Sequence, residues 1–257
     1  MTSLAMSKSA IHDQVLIARQ DLAAVFRIAA SLGFHEGTCN HFSLLVPGRA
    51  DCYLINPFGK HFSEMRASDL LMLDANGNII EGEGQVEETA FHIHSSIHRA
   101  NPNAVCVLHT HMPYATAITA MKGGRLLACH QNALRFHGRI AYDDIDEGGY
   151  KGLALGSDEG ARMVRAMGDK PILFLESHGP LVVGPSVAKA FDDLYFLERA
   201  AELQILAMSS GKVLNEIDSA IAHDALQGFV KEAPTYAIAH FEAQKRLLDR
   251  TDGTWRD

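Results

Sequence analysis

The chain has no apolar run long enough to cross a bilayer, and its first residues lack the basic patch and apolar stretch of a secretory leader. Neither membrane insertion nor export is expected. It has no dense cluster of Lys and Arg: 23 bases stand against 31 acids, for a formal net charge of −8, so nucleic acid is not an expected partner. The four cysteines, Cys39, Cys52, Cys106 and Cys129, form no CxxC pair. That argues against a disulfide framework or redox couple and for reduced structural thiols in a cytoplasmic protein. Repeats and low-complexity tracts are missing too. What is there is a globular composition, 47% hydrophobic and 21% charged, over 257 residues, long enough to bury a large core.

Apolar residues at helical spacing, Val15, Leu16, Leu22, Val25, Phe26, Ala29 and Ala30, predict an opening helix over 13–32, stopped by Gly33. Short strands are expected at 44–46 and 52–56, joined by Pro47-Gly48-Arg49-Ala50, and at 70–73 and 79–81, joined by a turn over 74–78. These read as antiparallel hairpins. A helix over 87–99 stops at Asn101-Pro102, and an apolar strand opens at Ala104. The region 126–155, rich in Gly, Asp and Tyr, reads as an irregular loop covering a site. A helix over 157–167, strands at 172–175 and 181–183, and helices at 186–209, 220–231 and 236–249 complete the chain. Hairpins surrounded by helices predict a mixed, largely antiparallel sheet in a layered α/β fold.

The most informative segment is Val105-Cys106-Val107-Leu108-His109-Thr110-His111, an apolar run ending in two histidines spaced two apart. Strand side chains alternate faces, so an extended backbone points both imidazoles the same way, close enough to share an ion. Pro113 suits the first turn of a following helix, which sets the pair at a strand-to-helix junction. A lone histidine at a strand end is ordinarily just a polar residue; a same-face pair in this setting reads as half a metal site. His178 follows the apolar run 172–175, and Gly179 is expected to allow the tight turn that aims it back as a third ligand.

Glu88 stands beside Glu87 at a helix start, where the helix dipole favours acids without any functional reason. The same dipole keeps a carboxylate ionised, which suits a fourth ligand or a base. His94 and His98 are four apart on the same helix and could hold zinc in the manner of HExxH proteases, but no Glu follows His94. They are expected on a helix face, hydrogen-bonded or solvated. His35, His41, His61, His130 and His137 read as unpaired loop histidines.

Gly37-Thr38-x-Asn40-His41-x-Ser43, Ile55-Asn56-Pro57-Phe58-Gly59, Glu88, Ala104-Val105 through His109-Thr110-His111-Met112-Pro113, and Ser177-His178-Gly179 resemble the class II aldolase/adducin superfamily in order and spacing. The likeness runs over about 11–212. It implies one domain over 11–250 with a three-layer α/β/α architecture, leaving 1–10 and 251–257 as tails. It further implies a homotetramer with sites between subunits. Zn²⁺, or another divalent cation such as Mn²⁺ or Co²⁺, would sit on His109, His111, His178 and Glu88, with Glu88 as catalytic acid or base. Tyr114, as a catalytic residue, or Tyr236 would be supplied by a neighbour, and Asn40, Ser43, Phe58, Gly59 and Lys60 fall in the segments expected to bind a small-molecule substrate.

The phosphate-holding hydroxyls of the family's sugar-phosphate aldolases are replaced here by Phe58 and Val86, with Glu87 adding a further negative charge. A phosphate dianion is therefore disfavoured. Lys60 or Arg66 could pair with a substrate carboxylate or form surface salt bridges. The segment also resembles a bacterial branch near adducin and metal-dependent decarboxylases. The expected activity is carbon–carbon cleavage, aldol or decarboxylative, through a metal-stabilised enolate on a non-phosphorylated hydroxy-carbonyl or hydroxy-carboxylate. The alternatives are a non-catalytic adducin-like oligomerisation module and a sugar-phosphate aldolase or epimerase.

Overall fold

A computed structural model describes residues 8–144 and 157–257. Among these residues eight strands form one sheet: β1 (His41–Val46), β2 (Arg49–Ile55), β3 (Leu71–Leu73), β4 (Ile79–Glu81), β5 (Cys106–His109), β6 (Ile140–Asp143), β7 (Ile172–Leu175) and β8 (Gly179–Gly184). Their spatial order is β4-β3-β2-β1-β5-β8-β7-β6. Every pairing is antiparallel except β6 with β7. Among the described residues six α-helices accompany it: α1 (Lys8–Ser31), α2 (Glu88–Ala100), α3 (Pro113–Thr119), α4 (Ser157–Met167), α5 (Val187–Met208) and α6 (Ser219–Thr251).

Alternation along the central strands sorts side chains onto two faces. Phe42, Leu44, Cys106, Leu108, Ile172, Phe174 and Val182 join Phe26 of α1, Ile118 of α3 and Leu194 of α5 in one core. Val107, Leu173, Leu175, Leu181 and Val183 face the other way and meet Ile93 and Ile97 of α2 and Met163 and Met167 of α4. The sheet is therefore covered on both sides, as the three-layer expectation requires. By the same alternation His41, Ser43 and His109 lie on the α2 side.

Several boundaries differ from the sequence reading. β1 starts at His41, so this histidine is a strand residue and not a loop residue. The hairpin turn is only Pro47-Gly48, with Gly48 at φ 76°. The loop expected at 126–155 contains β6 and a 3-10 turn over Gln131–Phe136, and its remainder from 145 to 155 lies outside the described residues. The two C-terminal helices are one. Pro234 costs α6 a backbone hydrogen bond, but Ala237 and Phe241 are buried beyond it, and that packing carries the helix through. The stretch 251–257 is no loose tail: Gly253–Arg256 forms a turn that buries Trp255 completely, and its indole N–H donates to Asp249 at 3.1 Å.

Candidate metal centre

β5 delivers His109 at its last position, opposite Leu181 of β8. The His109 Nδ1 lies 3.1 Å from the Pro180 carbonyl oxygen, which can only accept, so Nδ1 carries the hydrogen and Nε2 keeps its lone pair. The chain then leaves the strand through Thr110 and His111 before α3 begins at Pro113. The His111 Nδ1 is 2.6 Å from Glu36 Oε2, the carboxylate–imidazole pairing that orients metal-ligating histidines. Its Nε2 is buried and, among the described residues, has no hydrogen-bond partner, which suits a cation ligand.

His178 arrives from the turn between β7 and β8. Ser177, not Gly179, takes the left-handed conformation there, at φ 59°. Gly179 is needed for proximity: a Cβ on it would stand 2.6 Å from the Thr110 carbonyl oxygen and 3.1 Å from Cδ2 of His111. The turn thus presses directly against the HTH segment. The rings of His109, His111 and His178 meet with centroids 4.8 to 5.1 Å apart, and their ligand nitrogens all lie within 4.8 Å of one another. Two nitrogens on one zinc ion stand at most about 4.2 Å apart, so the triad is drawn up close to ligating distance. Burial, reinforced by His178 and His41, holds His109 well below the ordinary histidine range. Burial and then His111 push His178 down to about 4. Neutral imidazoles are what a divalent cation needs.

The junction after His111 is pinned from α5. Glu198, 3% exposed, accepts from the backbone N–H groups of Tyr114 and Ala115 at 2.8 Å each, capping α3. Asn40, 1% exposed, accepts from the backbone of Glu36 at 2.7 Å and of His111 at 3.4 Å, tying the Glu36 loop to the ligand segment.

The other expected site residues fare differently. Glu88 opens α2 but is not in the histidine cluster; its side chain is 70% exposed and Oε1 lies 3.9 Å from Nε2 of His92. Glu87 is the cap, accepting from the Ala90 N–H at 2.7 Å and from the Thr89 hydroxyl, and its charge reaches His41. Ser43 cannot meet a ligand directly, being fully buried between His94 and His98. Lys60 is committed to Asp69 at 2.5 Å, so the salt-bridge alternative is the one realised. Phe58 is 59% exposed and Gly59 turns the chain at φ 80°. Tyr114 is half-buried against the main core, and Tyr236 is exposed on α6.

Sequence reasoning missed the neighbours of the triad. His41 pairs across the sheet with His109, their rings 5.0 Å apart. Its Nδ1 lies 2.7 Å from His94 Nε2, His94 Nδ1 lies 2.5 Å from Ser43 Oγ, Ser43 Oγ lies 2.7 Å from His98 Nε2, and His98 Nδ1 lies 2.5 Å from the Ala104 carbonyl. The signal was present as two same-face pairs, His41 and Ser43 two apart on a strand and His94 and His98 four apart on a helix. Only their facing each other was hidden.

Comparison with known proteins agrees with this architecture. The family model described as Class II Aldolase and Adducin N-terminal domain matches residues 20–205. A Caulobacter vibrioides protein named for class 2 aldolase is 38% identical over 76% of this chain and 74% of its own. Alpha-adducin of Rattus norvegicus is 34% identical over 75% of this chain but 26% of its own length. The crystal structure of an aldolase II superfamily protein from Pseudomonas syringae superposes with a TM-score of 0.88 at 34% identity, covering 96% of this chain and 100% of that one. An L-fuculose 1-phosphate aldolase from Glaciozyma antarctica shares the fold, with a TM-score of 0.84 at 24% identity over 99% and 97% of the two chains. The matched region contains all three clustered histidines, and the chain belongs to the class II aldolase and adducin family.

Proposed function

We propose that this protein is a divalent-metal-dependent carbon–carbon lyase, an aldolase or decarboxylase, acting on a non-phosphorylated hydroxy-carbonyl or hydroxy-carboxylate substrate. The observation that carries the reading is the convergence of His109, His111 and His178, with His111 Nε2 buried and unpartnered. These three nitrogens would hold the ion, zinc by the donor set and otherwise Mn²⁺ or Co²⁺. When bound, the metal supplies a Lewis acid that polarises a substrate oxygen and stabilises enolate charge.

The chain's own part is to orient, exclude water and move a proton. Glu36 and the Pro180 carbonyl fix two of the imidazoles from behind. Glu87 spends its carboxylate on the cap of α2, whereas that of Glu88 has, among the described residues, only the 3.9 Å approach of His92, so of the two Glu88 is the acid free to turn to a substrate. Its role is to take or return the proton at the carbon that loses or gains a bond, and to serve as a further ligand. Phe58 in place of a hydroxyl supports the non-phosphorylated substrate. Assembly as a homotetramer, with Tyr114 or Tyr236 reaching a neighbour's site, belongs to the same proposal.

Metal analysis of the purified chain should give one divalent ion per subunit, and His109→Ala and His178→Ala should lose it. Full metal content in both variants refutes the ligand assignment. Glu88→Gln should keep the fold and lose most turnover in a screen of hydroxy acids and sugar phosphates; undiminished turnover removes Glu88 from the mechanism.

A further inference from the structure

The four-membered chain of His41, His94, Ser43 and His98 has a direction, and one backbone carbonyl sets it. The Ala104 oxygen accepts only, so His98 Nδ1 must donate to it across 2.5 Å. A neutral His98 then offers Nε2 as a lone pair, and the Ser43 hydroxyl donates there. Having given away its only hydrogen, Ser43 Oγ must accept from His94 Nδ1. His94 Nε2 is left bare and accepts from His41 Nδ1. The last lone pair falls on His41 Nε2, on the side of the ring away from His94.

We infer that this chain locks His41 in its Nδ1–H tautomer and so presents His41 Nε2 beside the triad as a hydrogen-bond acceptor, suited to a substrate hydroxyl. His41 is the cross-strand partner of His109, with the two rings 5.0 Å apart, which puts it at the rim of the cluster. An acceptor there takes a neutral O–H and rejects a carboxylate or phosphate oxygen. The logic requires each imidazole to be neutral. Burial in the sheet–α2 layer favours that state, lowering His98 to about 4 and His94 well below the ordinary range. His94, Ser43 and His98 are positioning residues in this arrangement; His41 alone meets the ligand. The hydroxyl assignment rests on the proposed metal site being the binding site, whereas the tautomers do not.

Long-range ¹H–¹⁵N correlation spectra of the full chain as purified test the lock. His41, His94 and His98 should each show a protonated Nδ1 and a bare Nε2, and a protonated Nε2 on any of them overturns the proposal. In Ser43→Ala, His98 should keep its Nδ1–H while His94 and His41 lose their fixed tautomer; unchanged signals at His41 overturn it too. Ser43→Thr keeps a hydroxyl and should restore the wild-type pattern, and the wild-type spectrum decides alone if Ser43→Ala does not fold. The ligand class is read from Zn²⁺-loaded protein titrated with glycolate and with methoxyacetate, whose α-oxygen carries no hydrogen. Wild type should prefer glycolate, and Ser43→Ala should reduce that preference about fivefold, the worth of one net hydrogen bond. Equal preference in the two proteins, or no binding of either acid, overturns the hydroxyl assignment. Correct tautomers in a chain that binds no zinc would refute the lyase reading and leave the lock standing; zinc binding with the wrong tautomers does the reverse.

Discussion

One added methyl group should separate the tightness of the triad from the general stability of the fold. In Gly179→Ala the new Cβ would stand 2.6 Å from the Thr110 carbonyl oxygen. Carbon–oxygen contacts relax near about 3.3 Å, so roughly 0.7 Å must be found by moving backbone on the β8 or the HTH side. Neither side ends in a flexible side chain. The same methyl lies 3.1 Å from Cδ2 of His111, so the displacement falls on a ligand as well as on the β5–β8 seam. Overpacking of this kind costs about 1–3 kcal/mol in stability. Misplacing reacting groups by about an ångström costs on the order of 10²-fold. Gly179→Ala should therefore lower the urea midpoint and weaken zinc binding, measured by competition with a chromogenic chelator, by tenfold or more (about 1.4 kcal/mol). Gly228→Ala is the control. It lies within α6 with no atom inside 4 Å of its would-be Cβ, so it should raise stability by about 0.5–1 kcal/mol and leave zinc binding alone. If Gly179→Ala matches wild type in both assays, the close approach of the His178 turn to the HTH segment is wrong.

Other perturbations address the site's supports. Glu36→Gln removes the carboxylate behind His111; since that side chain is 68% exposed, zinc affinity should fall by about tenfold, the low end for such partners, and an unchanged affinity would detach Glu36 from the centre. Asp193 is buried beside Arg139, at 2.8 Å, and Lys189. Burial alone would raise its carboxyl, but these two cations outweigh it and hold it below the ordinary range. Its stabilisation is thus present above about pH 3.9 and is lost as pH falls through the lower folded value. Asp193→Asn should cost about 3 kcal/mol at pH 7 in denaturant unfolding, and a cost near zero would refute the pairing. His98 behaves differently. Burial lowers it from 6.5 to about 4, so the unfolded chain binds the proton first and His98's share of the stability should be lost between those values as pH falls, about 3 kcal/mol on top of the losses from the other buried histidines. His98→Gln should make the decline shallower in urea titrations from pH 7 to 4.5; an equally steep decline in the variant would assign it wholly to the other histidines.

Local pattern was enough for much of the fold. The two hairpins before α2, α1 with its stop at Gly33, and the buried run into His109 all follow from spacing and turn residues within a short window. β6 was missed because its four residues, Ile140–Asp143, are half polar and mostly half-buried, leaving no alternation to read. The helices expected at 220–231 and 236–249 are one because the packing of Phe241 in the long-range core outweighs the hydrogen bond lost at Pro234, and that packing is not a local property. The burial of Trp255 in the stretch 251–257 was not legible for the same reason: a single aromatic in a polar end has no period, and its burial depends on where α6 ends.

For the centre itself, the sequence by itself determined the donor types, the same-face pair on β5 and a histidine in a turn after an apolar strand, because period-two alternation is a local property of the chain. Tertiary structure decided what stands behind and beside them. Glu36 comes 75 residues before its partner His111, and His94 lies 53 residues from His41. No spacing rule links such pairs. They meet because antiparallel pairing sets His41 opposite His109 and because α2 crosses that face of the sheet, and both are consequences of burying two apolar faces at once.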